Sequence, residues 1–165
     1  MSEPAPRDIR DLEAGQIFDG FRLEAPLNPG GMANLWRVTR EGDTLPMVMK
    51  IPLVHGSPVN IVGFEVEGMI LPRLSGPHVP RLIRAGDFSR PYVVMEFITG
   101  QSLKARLDDT PLGPGEVVDI GVKIALALHD LHRQHVIHLD LKPSNIILRE
   151  SGEAALIDFG LSRHD

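Results

Sequence analysis

The chain reads as an α+β protein, a five-stranded antiparallel sheet carrying one helix and followed by a mainly helical part. Three observations predict this. Between Phe21 and Phe97 short apolar or alternating stretches recur, separated by Gly, Pro, Asn and Asp turns. One weakly helical segment interrupts them. From about Ser102 the apolar spacing changes from strand-like to helical and stays so to Gln134.

The elements follow in order. Residues 1–16, MSEPAPRDIRDLEAGQ, are acidic and proline-containing and read as a flexible leader; no basic stretch precedes an apolar run, so no secretory signal is read. Phe21 to Ile51 gives three antiparallel strands, separated by Asn28-Pro29-Gly30-Gly31 and Glu41-Gly42-Asp43. Val59 to Leu71 spaces Ile61, Val62, Phe64, Val66, Met69 and Ile70 as a helix, with Gly63 and Gly68 inside it and Pro72 ending it. Two further strands are expected at Arg81–Ala85 and Tyr92–Phe97. Thr99-Gly100-Gln101 then breaks the pattern, and the boundary falls near residue 99. A short helix to Leu107, a Pro/Gly loop and a long helix from Glu116 to Gln134 complete the chain's regular structure. On that long helix Val117, Ile120, Ile124, Leu128 and Leu131 form a core stripe. Val118, Val122 and Leu126 form a second apolar stripe, which predicts a surface for self-association or a partner chain.

Composition narrows the function classes. With 24% charged and 42% hydrophobic residues, neither a disordered chain nor a membrane protein fits. A net charge of -5 argues against general nucleic-acid binding, so an anionic ligand needs locally placed cations or metal. Zero cysteines excludes disulfides and thiolate metal sites, in keeping with a cytoplasmic protein.

The chemistry concentrates in a few strings. His138-Leu139-Asp140-Leu141-Lys142-Pro143-Ser144-Asn145 is followed, 18 residues after Asp140, by Asp158-Phe159-Gly160. Upstream, Met47-Val48-Met49-Lys50 ends an apolar strand in a lysine, 20 residues after Gly30. Val93-Val94-Met95-Glu96-Phe97-Ile98 is a continuous apolar strand apart from Glu96. Taken singly, each has a plain structural reading: a hairpin turn, a lysine with its stem along a strand, a buried strand. Together and in register they resemble the protein kinase family; D-L-K-P-x-N resembles its Ser/Thr members and the Gly30-Gly31-Met32 turn its bacterial Ser/Thr members.

That resemblance implies a protein-kinase-like fold, with residues 17–98 as the small lobe and 99–165 as the first part of the large lobe. It implies ATP and Mg2+ as cofactors and a protein substrate bearing Ser or Thr. Asp140 would take or orient the hydroxyl proton, and Lys142 would neutralise the moving phosphoryl group. Asn145 and Asp158 would hold magnesium. Lys50, paired with Glu67, would hold the α- and β-phosphates; Glu67 is preferred to Glu65 for its spacing from Leu74-Ser75-Gly76-Pro77. Asn28, Gly30, Gly31, Met32 and Ala33 would cradle phosphates, although two of three family glycines are replaced there. Met95 would be the gatekeeper, with adenine bonded by the backbone of Glu96 and Ile98. His138, Phe159, Leu71 and Leu82 resemble the spine that links the lobes. Leu139 stands where the family has arginine, so reading of a phosphorylated activation loop is not expected from it. The 165 residues end five after Gly160, leaving no activation segment, and a truncated form is expected.

Two other readings follow from the same features. One is a weak or inactive kinase-like nucleotide-binding module that docks on a partner. The other is a small-molecule phosphotransferase, which Lys142 and Phe159 disfavour. A zinc site at His129, His132, His135 and His138 is set aside, because three-residue steps drift round a helix and the last two leave it.

Overall fold

Asp19 and Gly20 both take positive φ, 50° and 85°, and turn the chain between β1 (Ile17–Phe18) and β2 (Phe21–Pro26). Asp-Gly in a two-residue loop is the sequence that tolerates this mirror-image turn, whose twist matches the flanking strands. The computed structural model describes residues 12–27, 33–52, 58–87 and 90–164. They form two units, the described part of Met1–Ile61 with Ile83–Phe97, and the described part of Val62–Leu82 with Ile98–Asp165.

The first unit is built on a sheet. β3 (Ala33–Thr39), β4 (Met47–Pro52), β5 (Leu82–Ala85) and β6 (Val93–Glu96) join the first two in the order β1-β2-β3-β4-β6-β5. The five expected strands are present, and β1 adds a sixth. Alternation along β4 buries Met47, Met49 and Ile51 and leaves Val48 and Lys50 half-buried on the other face. The buried face joins Phe21, Leu23, Trp36, Val38, Tyr92 and Val94 in one apolar cluster. Leu12 belongs to that cluster too. Gly15 N–H donates to the Leu23 carbonyl (2.7 Å) and Leu23 N–H to the Gln16 carbonyl (2.8 Å), so residues 15–16 lie along β2.

Helix α1 (Pro58–Ile70) crosses the division between the units and ends in a 3-10 turn, Leu71–Arg73. Pro72 lies in that turn, and Leu74 beyond it is extended, so the helix stops where its proline predicts.

In the second unit β7 (Gly100–Ser102) precedes α2 (Leu103–Asp109), whose first turn is capped by Ser102 Oγ accepting from Ala105 N–H at 3.1 Å. α3 (Pro114–Arg133) follows, with Pro114 at its first position and His132 and Arg133 in its last turn. Arg106 ties the two helices together, with Nε and Nη2 each 2.7 Å from the Glu116 carboxylate oxygens. β8 (Val136–Ile137), β9 (Ile146–Arg149), β10 (Ala154–Leu156) and β11 (Arg163–His164) make two small sheets, β10-β9-β7 and β11-β8. Gly100 is required in the first of these. Its φ is 144°, and any Cβ would collide with the Leu148 carbonyl oxygen.

The α3 core stripe differs from the expected one. Ile120, Ala127 and Leu131 are buried, Ile124 and Leu128 are half-buried, and Val117 is 52% exposed. α3 packs on the small sheets through β8 and β10, and Val117 sits in its first turn. Ala127, fully buried, takes the close-contact position because it has almost no side chain to displace. Val118, Val122 and Leu126 are exposed, as their separate stripe implied.

Candidate functional site

Each unit presents part of the expected site, and each part is set by its own backbone. In the first unit strand register decides what accompanies Lys50. Lys50 on β4 lies opposite Leu35 on β3 and Val93 on β6, while Val48 lies opposite Arg37 and Met95. Residues directly opposite one another share a face, so Leu35, Arg37, Val48, Lys50, Val93 and Met95 line one side of the sheet. That side is away from the Met47/Met49/Ile51 core. It is a mainly apolar floor that also carries the Lys50 ammonium and the Arg37 guanidinium, suited to a flat apolar ring system attached to an anion. Leu35 and Val48 were not singled out from sequence. The alternation of β3 and β4 about Lys50 was the signal that pointed to them.

Beyond Met95, Phe97 N–H donates to the Pro46 carbonyl at 2.8 Å. By the alternation of an antiparallel ladder, the polar backbone groups of the preceding residue, Glu96, are aimed away from β4. Arg37 lies over the Phe97 ring at 5.6 Å. Asn28, Gly30, Gly31 and Met32 lie outside the described residues; Ala33 begins β3 opposite Pro52.

In the second unit the loop after β8 gathers four of the named residues. His138 is 2% exposed and sits under the loop. Its Nε2 is 2.9 Å from the Ile157 carbonyl, and Asp140 N–H donates to its Nδ1 at 3.2 Å. Nε2 therefore carries the proton, and the ring is a neutral bridge between Asp140 and the strand leading to Asp158. Ser162 Oγ–H donates to the His138 carbonyl at 3.0 Å, and the Phe159 ring meets the imidazole edge-on at 5.0 Å. Leu139, at φ 61°, swings outward and is 57% exposed. This places the next residue, Asp140, over His138.

The Asp140 carboxylate is met twice on one oxygen. Lys142 Nζ is 3.1 Å from Oδ2 and Asn145 Nδ2 is 3.2 Å from it; Asn145 Nδ2 also donates to the Asp140 carbonyl at 3.0 Å. Asn145 is buried at 5% exposure while Lys142 is half in water at 51%. Ile157 N–H donates to the Asn145 carbonyl at 3.0 Å, which ties the loop to the residue before Asp158. Asp158 is exposed and held at φ 65°, a left-handed conformation uncommon outside glycine and associated with functional turns. Phe159 is fully buried, and its N–H donates to Glu67 Oε1 at 3.2 Å. Glu67 is 2% exposed whereas Glu65 is exposed. Ile98 is buried at 7% exposure and Leu71 at 1%.

Asp140, Lys142 and Asn145 thus converge on one carboxylate, and Glu67 is joined to the turn that carries Asp158. The chemistry available is a carboxylate beside a cation, with an amide and a second carboxylate nearby in sequence and backbone bonding. Such a set can accept a proton and stabilise transferred negative charge.

The family model described as protein kinase domain matches residues 25–164. Curated relatives include a probable serine/threonine-protein kinase PknB of Lactococcus lactis subsp. lactis, 32% identical over 158 residues, covering 92% of this chain and 25% of the relative. PknK of Mycobacterium tuberculosis, a serine/threonine-protein kinase, is 32% identical over 159 residues, 94% of this chain and 14% of the relative. The serine/threonine-protein kinase pkn2 of Myxococcus xanthus is 30% identical over 158 residues, 89% of this chain and 19% of the relative. The chain spans a quarter or less of the length of these relatives.

Proposed function

Since the chain belongs to the protein kinase family, we propose that it takes part in ATP-dependent transfer of the γ-phosphoryl group to Ser or Thr hydroxyls of proteins. The observation that carries this reading is the double restraint on Asp140 Oδ2 by Lys142 Nζ and Asn145 Nδ2. With Oδ2 held from two sides, Oδ1 is the oxygen left to receive the substrate hydroxyl proton. Lys142 stands beside the same carboxylate, where its charge also reaches the phosphoryl group as it moves.

The donor set fits magnesium. Asn145 commits Nδ2 to Asp140, so its Oδ1 is the atom available as a ligand, and Asp158 offers a carboxylate from an exposed turn. Both are hard oxygens. Asn145 and Asp158 would hold the ion, which would supply positive charge beside the phosphates. Asn145 is placed for this by its bonds to Asp140 and by accepting the N–H of Ile157, the residue before Asp158. Lys50, at the end of its sheet face, binds the α- and β-phosphates. The apolar face itself, Leu35 to Met95, receives adenine, whose edge meets the backbone of Glu96 and Ile98. Asn28, Gly30, Gly31, Met32 and Ala33 are assigned to the phosphates on the sequence alone.

The test is incorporation of labelled phosphate from Mg·ATP into a Ser/Thr protein substrate by the whole chain, beside Lys50→Met and Asp140→Asn. Incorporation by the parent chain alone, reduced at least 10²-fold in both variants, supports the reading. Thermal stabilisation by Mg·ATP without incorporation leaves nucleotide binding and overturns transfer by these 165 residues. Neither effect overturns both.

A further inference from the structure

Gly63 precedes Glu67 by one helical turn on α1, so the two face the same way. At Gly63 the helix lies directly on the backbone of the Asp158-Phe159-Gly160 turn. A Cβ on Gly63 would come 3.3 Å from the Gly160 carbonyl oxygen, and one on Gly160 would come 3.2 Å from the Gly63 carbonyl oxygen. Backbone meets backbone there. One turn further along the same face, Glu67 Oε1 accepts the Phe159 N–H at 3.2 Å, the long end of a normal N–H···O bond.

We propose that Gly63 is a positioning residue for phosphoryl transfer: its missing side chain sets the spacing at which Glu67 can hold Phe159 N–H and so fix the turn bearing Asp158. This rests on the kinase reading above. A methyl group at residue 63 forces the turn or the helix back by a few tenths of an ångström, because the atoms it meets are backbone and cannot rotate away. That is enough to take the Glu67–Phe159 bond out of range. Asp158 then loses the restraint on its next residue.

The sign of the effect separates this role from an ordinary helix glycine. Glycine is a poor helix former, and alanine at an open helical position stabilises. Gly121 on α3 is such a position, with nothing within 4 Å of a built Cβ. Gly121→Ala is therefore expected to raise the melting temperature by roughly 2–4 °C and to leave the Phe159 amide unchanged.

Hydrogen exchange at the Phe159 amide, followed by NMR on the whole chain, is the deciding measurement. Gly63→Ala gives no rise in melting temperature, exchanges the Phe159 amide roughly ten-fold faster, and responds less to Mg·ATP. Glu67→Gln, which keeps an acceptor oxygen, holds exchange near the parent rate. A Gly63→Ala chain stabilised like Gly121→Ala, with Phe159 exchange unchanged, overturns the proposal. If Gly63→Ala loses its fold, Glu67→Ala decides: unchanged exchange at Phe159 sinks the idea, faster exchange supports it. No response of the parent chain to Mg·ATP counts against the kinase reading alone, since the exchange rates need no nucleotide.

Discussion

Asn145 is joined to Asp140 twice, donating from Nδ2 to its carbonyl at 3.0 Å and to its carboxylate Oδ2 at 3.2 Å. One side chain thus fixes both the course of the loop and the direction of the carboxylate. Burial makes the arrangement stiff, since Asn145 is 5% exposed and an unmet amide there carries a desolvation cost.

Asn145→Asp is isosteric and reverses the relationship. It replaces a donor by a second carboxylate about 3 Å from Asp140 Oδ2, where two like charges repel and one is driven to hold a proton. Metal affinity alone predicts little harm, because aspartate is a good magnesium ligand. Loss of the Nδ2 bonds predicts at least a 10²-fold fall in kcat with the chain still folded. Kinetics of the variant at saturating Mg2+ check this. Parent-like turnover there means that Asn145 does not orient Asp140.

A second prediction concerns Arg149, which serves the loop after α1 rather than the site. Its Nε donates to the Pro77 carbonyl at 2.7 Å and its Nη2 to the Val79 carbonyl at 3.3 Å. His78, between them, is held from the same hairpin, with Nδ1 2.8 Å from the Ala154 carbonyl and its own carbonyl accepting Leu156 N–H at 2.8 Å. Arg149→Met keeps the stem and removes every donor. Loss of charge-assisted bonds to backbone carbonyls costs about 1.5–3 kcal/mol. The urea midpoint should fall with an unchanged slope. Arg149→Lys, with one ammonium for two carbonyls in different directions, should recover only part of it.

How much of this was legible beforehand depended on the range of the forces involved. β2, β3, β4 and β6 were readable because their own alternation marks a buried face, α1 because Pro72 ends it and α3 because of its helical apolar spacing, although Pro114, read as loop, is its first residue. β7 was not. Gly100-Gln101-Ser102 has no strand signal of its own and is extended only because Arg149, Leu148 and Ile147 pair with it. β1 could have been read, since Asp19-Gly20 between Phe18 and Phe21 is a hairpin turn in its own right. Among site residues, the Asp140, Lys142, Asn145 and Asp158 string was visible as a motif. The Nε2–H tautomer of His138, the Ser162 bond to its carbonyl and the contact of Gly63 with Gly160 were not, because each joins residues more than 20 apart or depends on a single proton. Val117 was misplaced because helical phase says which residues share a face and not how far along the helix the cover extends.

The last prediction concerns alkaline pH. Tyr92 is 2% exposed and its hydroxyl donates to Asp19 Oδ2, while Phe18 packs edge-on against its ring at 5.5 Å. Burial pushes the phenol up to about 12, helped by the Asp19 bond and charge and opposed by Arg84, whose Nη2 is 3.4 Å from the same Asp19 oxygen. The unfolded chain releases this proton near pH 10, so the folded state binds more protons between about 10 and 12. The contribution is fully present below pH 10 and is lost as pH rises through the folded value of about 12. Trp36, buried in the same cluster and the one tryptophan of the chain, reports on it by fluorescence. At pH 7 Tyr92→Phe should be less stable than the parent by about 1 kcal/mol, the net worth of the lost bond. Between pH 10 and 12 the parent should lose stability faster, and the gap should close. A gap that stays constant through that range would mean the phenol ionises as freely folded as unfolded, and that Asp19 does not hold its proton.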